Sequence, residues 1–202
     1  MQQVITGGEV VSKLEKPQFT AREYLELERQ SSEKHDFAFG EIFAMTGATA
    51  RHVAIVSNLV RELGNQLLQR PCQVYSSDLR LCVDADHRYA YPDVVVVCSP
   101  PRFLDNTLDT LLNPDLIVEV LSESTRNYDR GDKFQQYRGI LSFREYLLVD
   151  QEKIHVERYS KQNDGTWSLW ETDSSADVVN LDSIGVALPV SEIYFKISLA
   201  AQ

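Results

Sequence analysis

Two acidic residues lie inside stretches where a carboxylate is costly. Asp93 belongs to Tyr91-Pro92-Asp93-Val94-Val95-Val96-Val97, and Glu119 to Leu116-Ile117-Val118-Glu119-Val120-Leu121. Runs this rich in Val, Ile and Leu read as strands buried on both faces. An acid within one needs a metal, a base or a donor to offset the loss of water. Side chains alternate along a strand, so Asp93 shares a face with Val95 and Val97, and Glu119 with Ile117 and Leu121. If the two strands are neighbours, about 4.8 Å apart, both acids reach one point. Two bare carboxylates about 4 Å apart repel by about 4 kcal/mol at an effective dielectric near 20. A hard cation removes that repulsion, and Mg2+ favours one or two carboxylates, a carbonyl, waters and substrate phosphate. The expected ligands are Asp93, Glu119 and the Val120 carbonyl, with Mg2+ (or Mn2+) as the ion.

A cation from the chain is the natural complement. Lys133 follows Asp129 by one helical turn and precedes Tyr137 by one. Its ammonium would hold a nucleophilic water or offset charge building on a phosphoryl group. Asp129 is read as a cap or salt-bridge partner and Tyr137 as a packing residue. Secondary candidates are Glu41 as a further metal or water ligand, His52 as base, phosphate contact or cap, and Asp78 as a further acid. Each also has an ordinary use, in a turn, a helix cap or a solvated face.

The elements that must position these residues follow from periodicity. Residues 1–19 read as a polar arm and 20–202 as one domain. Thr20-Ala21-Arg22-Glu23 is a capping box opening a helix to about Arg29. Strands 35–39 and 41–45 flank Gly40 as a hairpin. From Arg51 to Gln69, Val53, Val56, Leu59, Val60, Leu63, Leu67 and Leu68 recur at helical period, and Pro71 ends the run. Leu79 to Val83 alternates as a half-buried strand, with 84–88 as a turn. Residues 99–115 form a connecting loop. Asn127 to Arg138 reads as a helix with Phe134 and Tyr137 inward, stopped by Gly139. Strands at 145–149, 154–159 and 167–170 follow, then a Ser191-capped helix to about Ile197. Trp167 and Trp170 do not share a face, so at least one is expected to be exposed, at an interface. The order predicts a mixed α/β domain around one central sheet with flanking helices and an added C-terminal hairpin region.

Composition sets outer limits. The 202 residues, 43% hydrophobic and 25% charged, exclude a disordered or fibrous class. No apolar run approaches a membrane span, and the N-terminus has no secretion-signal pattern, so a cytoplasmic protein is expected. Cys72, Cys82 and Cys98 lack paired spacing and read as small buried thiols. A formal charge of −10 argues against a protein that coats nucleic acid by charge alone. Local engagement through a few basic residues and a metal remains open.

These residues together resemble a known family. Pro92-Asp93 followed by Glu119-Val120-Leu121 is similar to the signature of the PD-(D/E)XK nuclease superfamily. The longer segments around Asp93, Val118 to Thr125, Asp129 to Lys133 with Tyr137, and Arg144 to Asp150 resemble a bacterial restriction-endonuclease family called Uma. His35-Asp36-Phe37, Gly40 to Met45, Gly47 and His52 extend the likeness, which spans roughly residues 20–197. The resemblance implies a restriction-endonuclease-like core and a Mg2+-dependent endodeoxyribonuclease that acts on DNA; cutting both strands of a duplex takes two active centres, so a homodimer is expected. One position departs from the superfamily: Leu121 stands where the lysine after the acid is expected, and Lys133 is the implied substitute. Arg51, Arg126, Arg130 and Arg138 are candidates for phosphate contacts. Two other classes stay open: an inactive binding module that keeps the nuclease fold, and a two-carboxylate glycosidase that needs no metal.

Overall fold

Thr20 and Glu23 begin the first helix as the capping box requires. The Glu23 N–H donates to Thr20 Oγ1 at 3.2 Å, and the Thr20 N–H to Glu23 Oε2 at 2.8 Å. The computed structural model describes residues 18–45, 47–123 and 125–199, so the expected arm lies outside the described residues as far as residue 17. Helix α1 is Ala21–Glu28. Strands β1 (His35–Ala38) and β2 (Glu41–Ala44) form the expected hairpin, with Gly40 at a positive φ of 87° in the turn. Thr49 caps α2 (Ala50–Leu67).

Several short strands went unread in the sequence, among them β3 (Gln73–Ser76), β5 (Arg88–Ala90) and β7 (Thr110–Leu111). Each is four residues or fewer, too short for alternation to register. Between them run β4 (Arg80–Asp84) and β6 (Val94–Val97), with β8 (Leu116–Leu121) after β7. A helical stretch follows: α3 (Arg126–Tyr128), a π turn (Asp129–Lys133) and α4 (Phe134–Tyr137). Strands β9 (Glu145–Asp150), β10 (Val156–Lys161) and β11 (Trp167–Thr172) then form a meander. The pair β12 (Val178–Leu181) and β13 (Val186–Pro189) precedes α5 (Val190–Ile193).

The single central sheet expected from sequence is replaced by two, with β12–β13 as a separate ribbon. One sheet has the order β2-β1-β5-β4-β7, the other β11-β10-β9-β8-β6-β3. In the larger sheet β8 and β9 are parallel, and β6 pairs with β8 antiparallel, Val94 opposite Val118. Even-numbered residues of β6 and β8 (Val94, Val96, Leu116, Val118) pack on Ile55, Leu59 and Leu63 of α2. Odd-numbered ones (Val95, Val97, Ile117, Leu121) pack on Phe134 and Tyr137 from the opposite side. The sheet is thus sandwiched between the two helical stretches, each burying its own apolar stripe.

Other readings change with packing. The buried stripe of α2 is Ile55, Asn58, Leu59, Leu63 and Leu67, whereas Val53 near its start and Leu68, its C-cap, are exposed. Arg88, read as a turn residue, is buried and pairs with Asp36 at 3.3 Å. Arg80, read as the outer face of a half-buried strand, is buried against Asp109 at 2.9 Å. The last helix starts after Pro189 rather than at a Ser191 cap, since proline suits a helix start. Both tryptophans are half-buried: Trp167 edge-on to Phe134 at 5.2 Å, Trp170 under the Arg158 guanidinium at 5.9 Å. Cys72 and Cys98 form a disulfide, correcting the reading of free thiols, while Cys82 is a buried thiol. The two flank the Gln73–Val97 pair of the β3–β6 ladder, so register sets them face to face. No helix among the described residues is long and apolar enough to cross a membrane.

Candidate active site

The β6–β8 ladder ends at the Val94–Val118 pair, and Asp93 and Glu119, the next residue of each chain segment, both line one cleft at that end. Asp93 stands just before β6, at the end of the sheet where the N-terminus of α2 and the π turn meet. Its Oδ1 lies 3.0 Å from His52 Nε2, and its Oδ2 accepts the Val120 N–H at 2.7 Å. Glu119 is 4% exposed. Its Oε1 accepts from Lys133 Nζ at 2.8 Å and from the Tyr137 hydroxyl at 2.9 Å. Lys133 also reaches Asp129 Oδ1 at 3.4 Å, the salt-bridge role read for Asp129. Asp93, Glu119, Val120, Lys133 and His52 all line one cleft of about 910 Å3.

The electrostatics follow from burial. Desolvation raises the Glu119 carboxyl to about 8; Lys133 pulls it down, and the Asp93 and Asp129 charges add to the rise. Burial by itself would lower the Lys133 ammonium, but Glu119, Asp129 and Asp36 more than offset this and raise it well above an ordinary lysine. Lys133 therefore stays charged inside a ring of acids. Desolvation, with Glu119 beside it, likewise raises the Tyr137 hydroxyl, which remains a donor.

The donor set can be tested against a divalent ion. Each Asp93 oxygen takes one donor and Glu119 Oε1 takes two, leaving Glu119 Oε2 without a hydrogen-bond partner among the described residues. Among those residues no three His, Cys, Asp or Glu side chains form a cage. Two carboxylates lining one cleft suit Mg2+, which keeps waters and binds through substrate phosphate. The raised Glu119 carboxyl marks an excess of acid that a cation would relieve.

Not every candidate converges here. Asp78 is 87% exposed and pairs with Lys34 at 2.8 Å. Glu41 opens β2 opposite Ala38 and does not line the cleft. Arg51, Arg126 and Arg130 are ion-paired to Glu152, Asp150 and Glu157, and Arg138 lies over the Phe134 ring at 5.5 Å. The sequence reading missed the role of Asp36, which lines the cleft and accepts from Tyr91 N–H at 3.2 Å as well as from Arg88. An acid beside the buried Phe37 in β1 was the available signal. Gln151, just past β9, also lines the cleft and accepts from Thr49 at 2.7 Å.

The chain has relatives over most of its length. It is 43% identical over 152 residues to the uncharacterized protein sll1609 of Synechocystis sp., covering 75% of this chain and 86% of that protein. It is 36% identical over 178 residues to the uncharacterized protein slr1290 of the same organism, covering 88% and 92%. The fold matches a crystal structure from Anabaena variabilis described as "a putative nuclease belonging to DUF820". There the TM-score is 0.71 at 18% identity, over 87% of this chain and 97% of that one. The two chains therefore share one fold, with a mixed α+β core. Residues 21–191 match the model of the family described as "Uma2: Putative restriction endonuclease", and the chain belongs to that family.

Proposed function

We propose that this protein is a metal-dependent endonuclease that hydrolyses DNA phosphodiester bonds. Asp93, Glu119 and the Val120 carbonyl would hold Mg2+ or Mn2+, with Lys133 assisting. The observation that carries the reading is that Asp93 and Glu119 line one cleft, with Lys133 Nζ 2.8 Å from Glu119. When bound, the ion supplies Lewis-acid polarisation of the scissile phosphate and lowers the pKa of a water. The chain's own residues do the rest. His52 and the Val120 N–H fix the Asp93 carboxylate from two sides, and Tyr137 and Lys133 fix Glu119. Ligands oriented in advance lose little freedom when a metal arrives. The Lys133 charge lies where negative charge grows during attack on a phosphodiester. Its delivery from the π turn supports a lysine moved from the position Leu121 occupies. Cutting both strands of a duplex would require two such centres, and so a homodimer.

The test is cleavage of plasmid and linear DNA in Mg2+ or Mn2+, with Asp93→Asn as control. The variant is expected to lose at least about 100-fold in rate, the scale of losing a metal's contribution. Equal cleavage by both proteins, or no cleavage by either of plasmid, linear or single-stranded DNA, sinks the proposal. Mn2+ binding without cleavage of any nucleic acid would select the inactive binding module instead.

A further inference from the structure

We infer that the cleft takes a DNA strand unpaired at the point of cleavage, a single strand or a locally opened duplex, rather than an intact double helix. The inference rests on the endonuclease reading of this site and names its substrate more narrowly.

Depth is the first ground. Glu119 and Lys133 are 4% and 8% exposed, so the reacting groups lie well below the surface. The cleft above them, about 910 Å3, is the size of a large small-molecule pocket. A short stretch of single strand fits that volume and a duplex does not. Enzymes whose chemistry lies at such depth act on single strands or draw a nucleotide out of the stack.

Charge is the second. Glu33, Asp36, Asp93, Glu119 and Asp129 border the cleft against Lys34 and Lys133. A duplex carries one negative charge per about 1.7 Å of axis and is held by a row of free cations. The basic residues closest in the chain to the cleft are already committed. Lys34 pairs with Asp78, Arg51 with Glu152, Arg126 with Asp150 and Arg130 with Glu157.

The third is an apolar part of the lining. Ala44, Met45, Val53 and Val56 line the cleft, with Met45 39% and Val53 53% exposed. An open apolar wall gains nothing from phosphate, but it covers the face of an unstacked base, as single-strand channels do. In a paired duplex those faces are already stacked.

The experiment compares one labelled sequence as single strand, blunt duplex and duplex with a central bubble. Binding is read by fluorescence anisotropy in Ca2+, and cleavage is mapped in Mn2+. Single strand and bubble are expected to bind at least about 10-fold tighter than duplex, with cuts confined to the unpaired segment. Val53→Glu, a change at an exposed helix position, is expected to keep the thermal melt and weaken single-strand binding at least about 5-fold. Equal or tighter duplex binding, no binding to any form, or an unchanged Val53→Glu affinity each overturns the inference. Preferential binding of unpaired DNA without cleavage would sink the endonuclease reading and leave only the preference for unpaired DNA standing. Equal cleavage of intact duplex would do the reverse.

Discussion

Glu119 Oε1 is held by two donors from one helical stretch, Lys133 and Tyr137, four residues apart. The two differ in what their removal would reveal. Replacing Lys133 by Met strands Glu119 and Asp129 as buried charges, which costs about 3–5 kcal/mol, so lost activity could not be told from lost structure. Tyr137→Phe keeps the ring against Phe143 and Tyr146 and removes only the hydroxyl. The loss of that hydrogen bond is expected to cost about 1–2 kcal/mol of stability. Mn2+ affinity should fall by about 10-fold or more, as for other groups that orient metal ligands. Calorimetric titration of Mn2+ reads this directly, and an unchanged affinity would return Tyr137 to the packing role read from sequence.

The helical stretch 126–137 is the element that brings lysine to the acids, and it is not a plain α-helix. Its centre, Asp129–Lys133, is a π turn, a rare distortion common at functional sites. Arg130 within that turn is tied to β10. Its Nε donates to Glu157 Oε1 at 2.6 Å, and Tyr159 donates to Glu157 Oε2 at 2.9 Å. Burial alone would raise Glu157, but hydrogen bonds from Arg130, Tyr159 and His155 hold it below its ordinary 4.5. A carboxylate lowered in the folded state binds fewer protons there than in the unfolded chain. Its stabilisation is complete above about pH 4.5 and is lost as pH falls through that value towards the folded one. Glu157→Gln should therefore lower stability near pH 7 by about 2 kcal/mol, since Arg130 is partly solvated. The gap from the natural chain should close in acid. Denaturant melts from pH 3 to 7 check it, and a gap independent of pH would exclude the ion pair as its source.

At the scale of the whole molecule, the Cys72–Cys98 bond joins edge strand β3 to β6, whose other end leads to Asp93. It closes a loop of 26 residues, and reduction is expected to cost about 3 kcal/mol. That corresponds to about 6–12 °C in Tm for a chain of this size. Thermal melts with and without reductant test this, with Cys72→Ser as control. The sequence reading missed the bond for the reason it missed β3: four residues before a loop carry no period. Elements long enough to repeat were legible, namely the capping box, α2, β8 and the β9–β11 meander. So was the anomaly of two acids in apolar strands, because burial of a carboxylate is costly wherever the strand ends up. The sequence by itself thus determined the longer strands and helices and the pair of acids, since periodicity and desolvation act within a few residues of each position. Only the tertiary structure decided that β6 and β8 are neighbours and that Asp93 and Glu119 line one cleft. Only it decided that helices from opposite faces supply His52 and Lys133, and that the nearby arginines are spent on acids. Those choices depend on which distant segments come together, and no local window of sequence records that.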